Sequence, residues 1–437
     1  MSRIAEILKS KEFLIFFISF IVIAGSIQLR YGDPMASRIM TIRAMVEHHT
    51  LDINTVEGLK SIDKICYANA CYSTKPPLLT IIGAGLYYIY YNILSLKFSV
   101  LSYFLLSLSI IGGSFSLLLV LFYRALRCFR ISEYHGFLFT FSLGFGTLLF
   151  SYSTMFSNHV LSALLIFIAF YSVLKIELGA NIKIYIFLAG LFSSFALATE
   201  ILQGLIFLIV LFVYFLIKKE TRKYIYFYIL GALPAIIFYC LYNLQVTGNI
   251  FPAYLNKKLY IYPGSYWVNP VGIDALSHNK LFYLFNILFG THGIFLYSPI
   301  LVFGAWGLIK TARNKKSILY KPAWLILISL ILIIVSLTLV TNNYGGASYG
   351  FRWFIICFPC LFFFNVALIN NFKNKCFTIW YLITLIFSVF FAYLAFAVIW
   401  PWNKFSFLGQ EIYFPLLDQL GGLFFYFEKF IHHYILY

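Results

Sequence analysis

Charged residues are the scarcest class in this chain. Asp, Glu, Lys and Arg make up only 11% of the 437 residues, and just 15 residues are acidic. A soluble globular domain carries about 25% charged residues. Because 62% of the residues are also hydrophobic, the composition excludes a soluble fold. It predicts an all-α polytopic membrane protein, since long apolar stretches with few charges form transmembrane helices.

The chain also lacks internal repeats, low-complexity tracts and domain linkers. Transporters often contain internal repeats and bury charges among their spans. The polar residues of this chain fall instead between its apolar runs. A polytopic lipid or sugar transporter or flippase is therefore kept only as the alternative function.

Apolar runs long enough to cross a bilayer fill most of the sequence. The first, residues 13–29, follows Arg3, Lys9 and Lys11 and is interpreted as a retained first span with its N-terminus in the cytoplasm. The later runs occupy residues 79–97, 100–123, 134–152, 160–176, 183–199, 202–217, 224–243, 284–309, 322–340, 353–370 and 377–400.

Basic clusters separate these runs, for example at residues 124–130, 218–223 and 310–316. The positive-inside rule places them in the cytoplasm, and it accounts for the net charge of +17 without a nucleic-acid partner. The alternation of inner and outer loops fails once. Two full crossings at residues 79–97 and 100–123 would put the basic cluster of residues 124–130 outside. A short, re-entrant or half-crossing segment between residues 79 and 176 would restore it.

Three polar segments then fall on the outer side, at residues 30–78, 243–282 and 342–352. We expect them to meet at one cavity that is open to the outside and to lipid. The first segment holds Cys66 and Cys71, which either form a disulfide or stay free thiols. It also gathers five of the 15 acidic residues, namely Asp33, Glu47, Asp52, Glu57 and Asp63.

Asp33 precedes Pro34 at the start of a helical pattern with apolar residues at Met35, Ile39 and Ile42. The pattern predicts an amphipathic helix on the membrane surface. Asp33 is then either the N-cap of this helix or a carboxylate placed to accept a proton from an attacking hydroxyl or to hold a metal. The two roles do not exclude each other.

Two basic residues at membrane boundaries could contact a phosphate. Lys75 precedes Pro76 and Pro77, which stiffen the chain, and it is either a snorkelling lysine or a rigidly held positive charge. Arg352 ends the glycine-rich segment 344–350 and is either an interface anchor or a phosphate clamp.

Three further polar residues lie close to apolar runs. Glu200 stands within a long apolar stretch, where it is either functional or wet in a tight outer turn. His159 and His292 have no second ligand at metal spacing, so no metal site is predicted and each is interpreted as a polar anchor.

Taken in order, these segments resemble the GT-C integral-membrane glycosyltransferases, in particular the protein O-mannosyltransferases and the lipid A aminoarabinose transferase. The resemblance rests on residues 32–34 after the first span, residues 72–78 closing the same loop, residues 289–299 and residues 343–353. It implies a bundle of about 11 to 13 transmembrane helices, with interfacial helices in the first outer loop.

The resemblance also implies a function and a site. Such enzymes pass a sugar from a polyprenyl-phosphate donor to a lipid, glycan or protein acceptor on the outer face of the plasma or inner membrane. Asp33 would be the base, and Lys75 and Arg352 would contact the donor phosphate. Other cavity candidates are Glu200, His159, His292, Tyr344 and Tyr72.

Many relatives have Glu where this chain has Pro34. The missing carboxylate leaves a one-base inverting displacement, with no cofactor predicted and a divalent metal as an alternative that is not favoured. Residues 1–400 are predicted to be the transmembrane catalytic domain and residues 401–437 a short tail on the membrane surface.

Overall fold

The computed structural model describes residues 10–30, 32–395, 404–407 and 410–423. Its helices are α1 (Lys11–Ala24), α2 (Asp33–Glu47), α3 (Pro77–Asn92), α4 (Val100–Cys128), α5 (Glu133–Phe145), α6 (Leu148–Ser153), α7 (Asn158–Glu177), α8 (Ile182–Leu197), α9 (Ile201–Ile217), α10 (Lys219–Arg222), α11 (Ile225–Thr247), α12 (Lys280–Leu288), α13 (Ile294–Tyr297), α14 (Leu301–Arg313), α15 (Tyr320–Val340), α16 (Arg352–Lys373) and α17 (Lys375–Leu394). Two short antiparallel hairpins, β1 (Lys64–Tyr67) with β2 (Ala70–Ser73) and β3 (Lys404–Phe407) with β4 (Gln410–Tyr413), are strands that the sequence did not predict.

Six helices of the described residues are long and apolar enough to cross a membrane, namely α4, α7, α11, α15, α16 and α17. The helices α8 and α9 are shorter apolar helices of the same kind. The protein is therefore a multi-pass helical membrane protein, as the sequence predicted. The total of about 11 to 13 spans stays a prediction, because other predicted passages consist of short or broken helices.

Helix α4 runs antiparallel to α1. Arg124 near its C-terminal end lies 3.5 Å from Glu12 at the start of α1. Further back along α4, a Cβ on Gly112 would lie 3.2 Å from Ile23 near the end of α1. The first residues of α4 therefore extend beyond the C-terminal end of α1, on the side opposite the start of α1.

Helix α3 does not cross the bundle. At its start, Leu78 donates its backbone N–H to the Ala198 carbonyl, and the loop that follows places Phe98 against Tyr87, 5.9 Å between ring centroids. Arg43 of α2 also stacks over Phe98, 5.4 Å from the ring centroid. Both ends of α3 thus lie on one side with α2, and α3 supplies the non-crossing segment that the charge alternation required.

Helices α8 and α11 pack backbone to backbone. A Cβ on Gly190 would lie 2.2 Å from the Tyr228 carbonyl oxygen, and a Cβ on Gly231 would lie 2.2 Å from that of Phe187. Small residues allow this close approach between membrane helices, where van der Waals packing drives association. The two glycines therefore allow α8 to lie directly against α11.

Helix α2 begins at Asp33, one residue before the start that an Asp33 N-cap would give, and most of it is buried. Ten of its fifteen residues are buried, including the polar Ser37, Arg38 and Thr41. The hairpin β1–β2 covers one side, where the Ser37 hydroxyl donates to Ser73 Oγ, 2.6 Å away. The first outer loop is therefore a folded layer above the bundle.

The hairpin β1–β2 is closed by a disulfide between Cys66 and Cys71, which face each other across the two strands. This result decides the alternative that the sequence left open. The long loop after α11 forms short 3₁₀ turns, and the described part of the tail packs on the bundle, where Leu416 donates its backbone N–H to the Tyr297 hydroxyl, 2.9 Å away. Residues 401–403, 408, 409 and 424–437 of the predicted membrane-surface tail lie outside the described residues.

Candidate active site

A cavity of about 270 Å³ lies where the three predicted outer loops meet. It contains three carboxylates, two cations, two tryptophans and part of the glycine-rich loop. Its lining residues are Gly32, Asp33, Pro34, Ile62, Asp63, Lys75, Trp267, Asp274, Asn343, Gly345, Gly346, Ala347, Arg352 and Trp353. The structure thus brings together Asp33, Lys75 and Arg352, which are up to 319 positions apart in the chain.

Asp33 is the first residue of α2, and Gly32 is its N-cap. The capping alternative for Asp33 is therefore wrong. Its Oδ1 accepts the backbone N–H of Ile62 at 2.9 Å instead, and the Ile62 carbonyl accepts from Trp267 Nε1 at 2.8 Å. One residue of the first loop, Ile62, thus orients Asp33 through its N–H and contacts the long loop after α11 through its carbonyl.

Lys75 points into the protein, so the snorkelling alternative is wrong. Its Nζ lies 2.9 Å from Asp63 Oδ2, and its side chain is 20% exposed. Burial lowers the pKa of Lys75, Asp63 counteracts this, and Arg38 and Arg352 lower the pKa further. A cation whose charged state is disfavoured by burial gains from a ligand with additional negative charge.

Arg352 begins α16 and lies against the glycine-rich loop. Gly345 has φ +91°, and a Cβ there would lie 3.0 Å from Arg352 Nε, so glycine is required both for the turn and for the contact. Asn343 orders the same loop, because its Oδ1 accepts the backbone N–H groups of Gly345 and Gly346, each at 2.6 Å.

Asp274 is a cavity carboxylate that the sequence did not single out. It comes from the 3₁₀ turn Gly272–Ala275 and accepts hydrogen bonds from Asn343 Nδ2 at 2.5 Å and from the Tyr266 hydroxyl at 3.1 Å. Burial raises the pKa of Asp274 above its ordinary value, although both hydrogen bonds act in the opposite direction. Asp274 is thus a second carboxylate that could accept a proton here.

Glu200 lies outside the cavity lining, in a buried polar network. It is 7% exposed, so the wet-turn alternative is wrong. Its Oε1 accepts from Asn158 Nδ2 at 2.8 Å and contacts His159 Nδ1. The Asn158 Oδ1 in turn accepts from the guanidinium of Arg38. The network therefore connects α7 and the α8–α9 turn to α2, below the cavity.

The remaining candidates do not line the cavity in the described part of the chain. The ring of Tyr344 stacks on His292, 4.6 Å between centroids, and its hydroxyl lies 2.7 Å from His278 Nδ1. Tyr72 pairs with Ile65 in the hairpin and lies near Tyr242 of α11. These three candidates support the walls of the loops rather than the cavity surface.

Sequence reasoning missed Asp63, Asp274 and Arg38 as site residues. Asp63 belonged to the acidic group in the first loop, so its proximity to Lys75 was a usable signal. No such signal pointed to Asp274 or Arg38. Asp274 stands in a segment that was already interpreted as a polar outer loop, and Arg38 in a helix that was already interpreted as amphipathic. Within the described residues, no three His, Cys, Asp or Glu side chains form a group that could hold a metal ion.

Comparison with known proteins finds similarity at the level of structure. No family model and no curated protein matches this chain by sequence. ArnT from Cupriavidus metallidurans matches in its apo state with a TM-score of 0.53 and 13% identity, over 85% of this chain and 61% of that one. The same protein bound to undecaprenyl phosphate matches with a TM-score of 0.52 and 13% identity, over 94% of this chain and 77% of that one.

The apo oligosaccharyltransferase of Archaeoglobus fulgidus matches with a TM-score of 0.51 and 14% identity, over 94% of this chain and 56% of that one. ArnT and the archaeal oligosaccharyltransferase are both GT-C membrane glycosyltransferases. The GT-C fold predicted from the sequence is therefore confirmed. This chain spans less than two thirds of the length of apo ArnT and of the oligosaccharyltransferase.

Proposed function

We propose that this protein is a membrane glycosyltransferase that moves a sugar from a polyprenyl-phosphate donor to an acceptor hydroxyl. The observation that carries the proposal is the cavity in which Lys75 and Arg352 lie with Asp33 and Asp274. Cations suit a phosphate, and carboxylates suit sugar hydroxyls and proton transfer. The structure of ArnT with undecaprenyl phosphate supports this class of donor.

The reaction divides between the two kinds of charge. Asp33 accepts the proton of the acceptor hydroxyl, and that oxygen attacks C1 of the sugar while the bond from C1 to the phosphate oxygen breaks. Lys75 and Arg352 stabilise the negative charge that develops on the departing phosphate. One displacement inverts the configuration at C1, and polyprenyl phosphate is the second product.

The folded first loop contributes orientation. Because Asp33 accepts from the Ile62 N–H, its second carboxylate oxygen is the one available to the acceptor. Asp33, the proposed base, and Lys75, the proposed phosphate contact, belong to the same folded loop, in which Asp63 holds Lys75. Their positions relative to each other are therefore fixed. Such fixed relative positions lower the entropic part of the barrier.

The acceptor is a lipid, a glycan or a protein, reached from the face on which the three loops meet. We place this face on the outer side of the plasma or inner membrane, with the N-terminus in the cytoplasm. The basic clusters of residues 124–130 and 310–316 support this orientation, since they lie at the other ends of the helices.

The test uses full-length protein purified in detergent and synthetic undecaprenyl phosphate that carries a pentose, a hexose or an amino sugar. We expect release of undecaprenyl phosphate when an acceptor fraction from the native membrane is added. Lys75→Met and Arg352→Gln should each reduce the release, whereas Lys280→Met, which removes a surface lysine paired with Asn342 outside the cavity, should not.

A transporter or flippase would behave differently in the same assay. In sealed vesicles it would move the lipid-linked sugar across the bilayer and leave the bond between C1 and the phosphate intact. Translocation without cleavage, for every donor and acceptor fraction, would replace the glycosyltransferase proposal by this alternative.

A further inference from the structure

Arg38 is a buried arginine directly below the cavity. It is 3% exposed and stands on α2 one turn after Pro34, whose carbonyl accepts from its Nη1 at 3.2 Å. Its Nη2 donates to Asn158 Oδ1, and its Nε has no hydrogen-bond partner among the described residues. A buried guanidinium with an unsatisfied N–H is costly, so the position of Arg38 calls for an explanation.

The charged neighbours of Arg38 are the phosphate-contact candidates of the cavity. The cations Arg352 and Lys75 repel Arg38, and the carboxylates Glu200 and Asp63 attract it. Burial and Arg352 lower the pKa of Arg38 to about 10, while Glu200 and Asp63 oppose this change. Three cations from α2, the first loop and α16 thus lie close enough to repel one another.

We propose that Arg38 is a positioning residue that adds a third positive charge behind Lys75 and Arg352 and so strengthens the binding of a phosphate anion in the cavity. This inference rests on the proposed function. Arg38 does not line the cavity and does not touch the donor. It acts through the electrostatic field in a buried site, where charges interact more strongly than in water. Glu200, held by Asn158 and His159, is the counter-charge that makes the burial of Arg38 tolerable.

A purely structural role predicts something different. Arg38 also ties α2 to α7 through Asn158, so its removal could simply loosen this contact. The two roles can be distinguished with two ligands that share the same prenyl chain, one carrying a charged phosphate and the other a neutral hydroxyl. An electrostatic role changes the affinity for a prenyl phosphate and leaves that for the matching alcohol alone, whereas loosened packing affects both.

The experiment measures the dissociation constants of farnesyl phosphate and farnesol for full-length protein in detergent. Arg38→Gln should weaken farnesyl phosphate by roughly tenfold or more, Arg38→Lys should weaken it less, and farnesol should bind as to the unchanged protein. Arg43→Gln is the matched control, because Arg43 lies on the same helix and pairs with Glu47 away from the cavity. It should bind both ligands normally.

Glu200→Gln supplies a test of sign that does not depend on the folding of an Arg38 variant. Gln keeps the oxygen that accepts from Asn158 but removes the negative charge, so farnesyl phosphate should bind several-fold more tightly. Weaker or unchanged binding of farnesyl phosphate by Glu200→Gln, or equal loss of both ligands in Arg38→Gln, would overturn the inference. If the unchanged protein itself shows no preference for the phosphate over the alcohol, the proposed function fails together with it.

Discussion

The Nζ of Lys75 lies 2.9 Å from Oδ2 of Asp63 at the edge of the cavity, and both residues belong to the first outer loop. This pair holds the lysine inside the protein without saturating it, since an ammonium group has three donors. A phosphate oxygen can therefore approach Lys75 while Asp63 keeps its contact. Asp63 thus fixes the position of the cation and leaves it able to contact the anionic ligand that we propose.

We expect the affinity for farnesyl phosphate to fall at alkaline pH because of Lys75. The pKa of Lys75 is lowered by burial from the ordinary value of 10.5. The protonated form binds the phosphate, so affinity is present below the pKa and is lost as the pH rises through it, at a pH below 10.5. Binding isotherms across this range should show the loss, and Lys75→Arg should bind with a flatter profile because a guanidinium keeps its charge to higher pH than an ammonium, which leaves the titration of Arg38. An identical profile for Lys75→Arg would contradict this assignment.

Asp33→Asn should reduce sugar transfer by about 10²–10⁴ and leave the melting temperature unchanged. The amide oxygen of Asn can still accept the Ile62 N–H, so only the ability to take a proton is lost. Transfer rates and thermal melting of the purified variant decide this. Asp274→Asn is the companion variant, and we expect it to retain more activity than Asp33→Asn. The reverse order would make Asp274 the base.

Asn343→Ala should lower kcat for transfer by about tenfold or more through disorder of the cavity wall. The change removes the acceptor for the Gly345 and Gly346 N–H groups and one donor to Asp274. Transfer kinetics should be measured alongside those of Asn342→Ala. That neighbouring residue binds only an exposed lysine in the described structure, and its variant should keep normal kinetics.

Tyr87→Phe should destabilise the protein by about 1–2 kcal/mol, because the Tyr87 hydroxyl donates to Glu47 Oε1 at 2.8 Å and connects α3 to α2. Tyr88→Phe is the control, since Tyr88 is 54% exposed. Melting in detergent should separate the two. Comparable losses of stability would mean that the α2–α3 contact contributes nothing specific.

The contact between Tyr87 and Glu47 also predicts that the stability of the protein depends on pH. Burial alone would raise the pKa of Glu47, but hydrogen bonds from Arg43 and Tyr87 outweigh it and lower the pKa below 4.5. The stabilisation is therefore present above the pKa of the unfolded chain and is lost as the pH falls from about 4.5 through the folded value. As the pH falls through this range, the melting temperature of the parent protein should fall and that of Glu47→Gln should stay constant. A parallel decline in both proteins would place the acid sensitivity elsewhere.

The sequence located the parts of the site that depart from their surroundings. Asp33, Lys75 and Arg352 were recognisable because a charge beside prolines or glycines in an apolar chain demands an explanation. Their mutual approach depends on long-range contacts, such as that of Trp267 with the Ile62 carbonyl, which no local pattern records. Arg38 was hidden for the opposite reason. It lies in a helix whose polar face suited a membrane surface, and its contact with Asn158 of α7 comes from a distant part of the chain.

The return of α3 to its starting side has a consequence for how the chain enters the membrane. In the orientation that we propose, with the start of α1 in the cytoplasm, the first loop and α3 are exported as one stretch, because both ends of α3 lie with α2, although α3 itself is apolar. The insertion machinery would have to release this helix from lipid rather than retain it. Its hydrogen bond to α2, from Tyr87 to Glu47, could in this orientation form only after export of the preceding loop. The order of synthesis and the order of folding are therefore coupled at this helix.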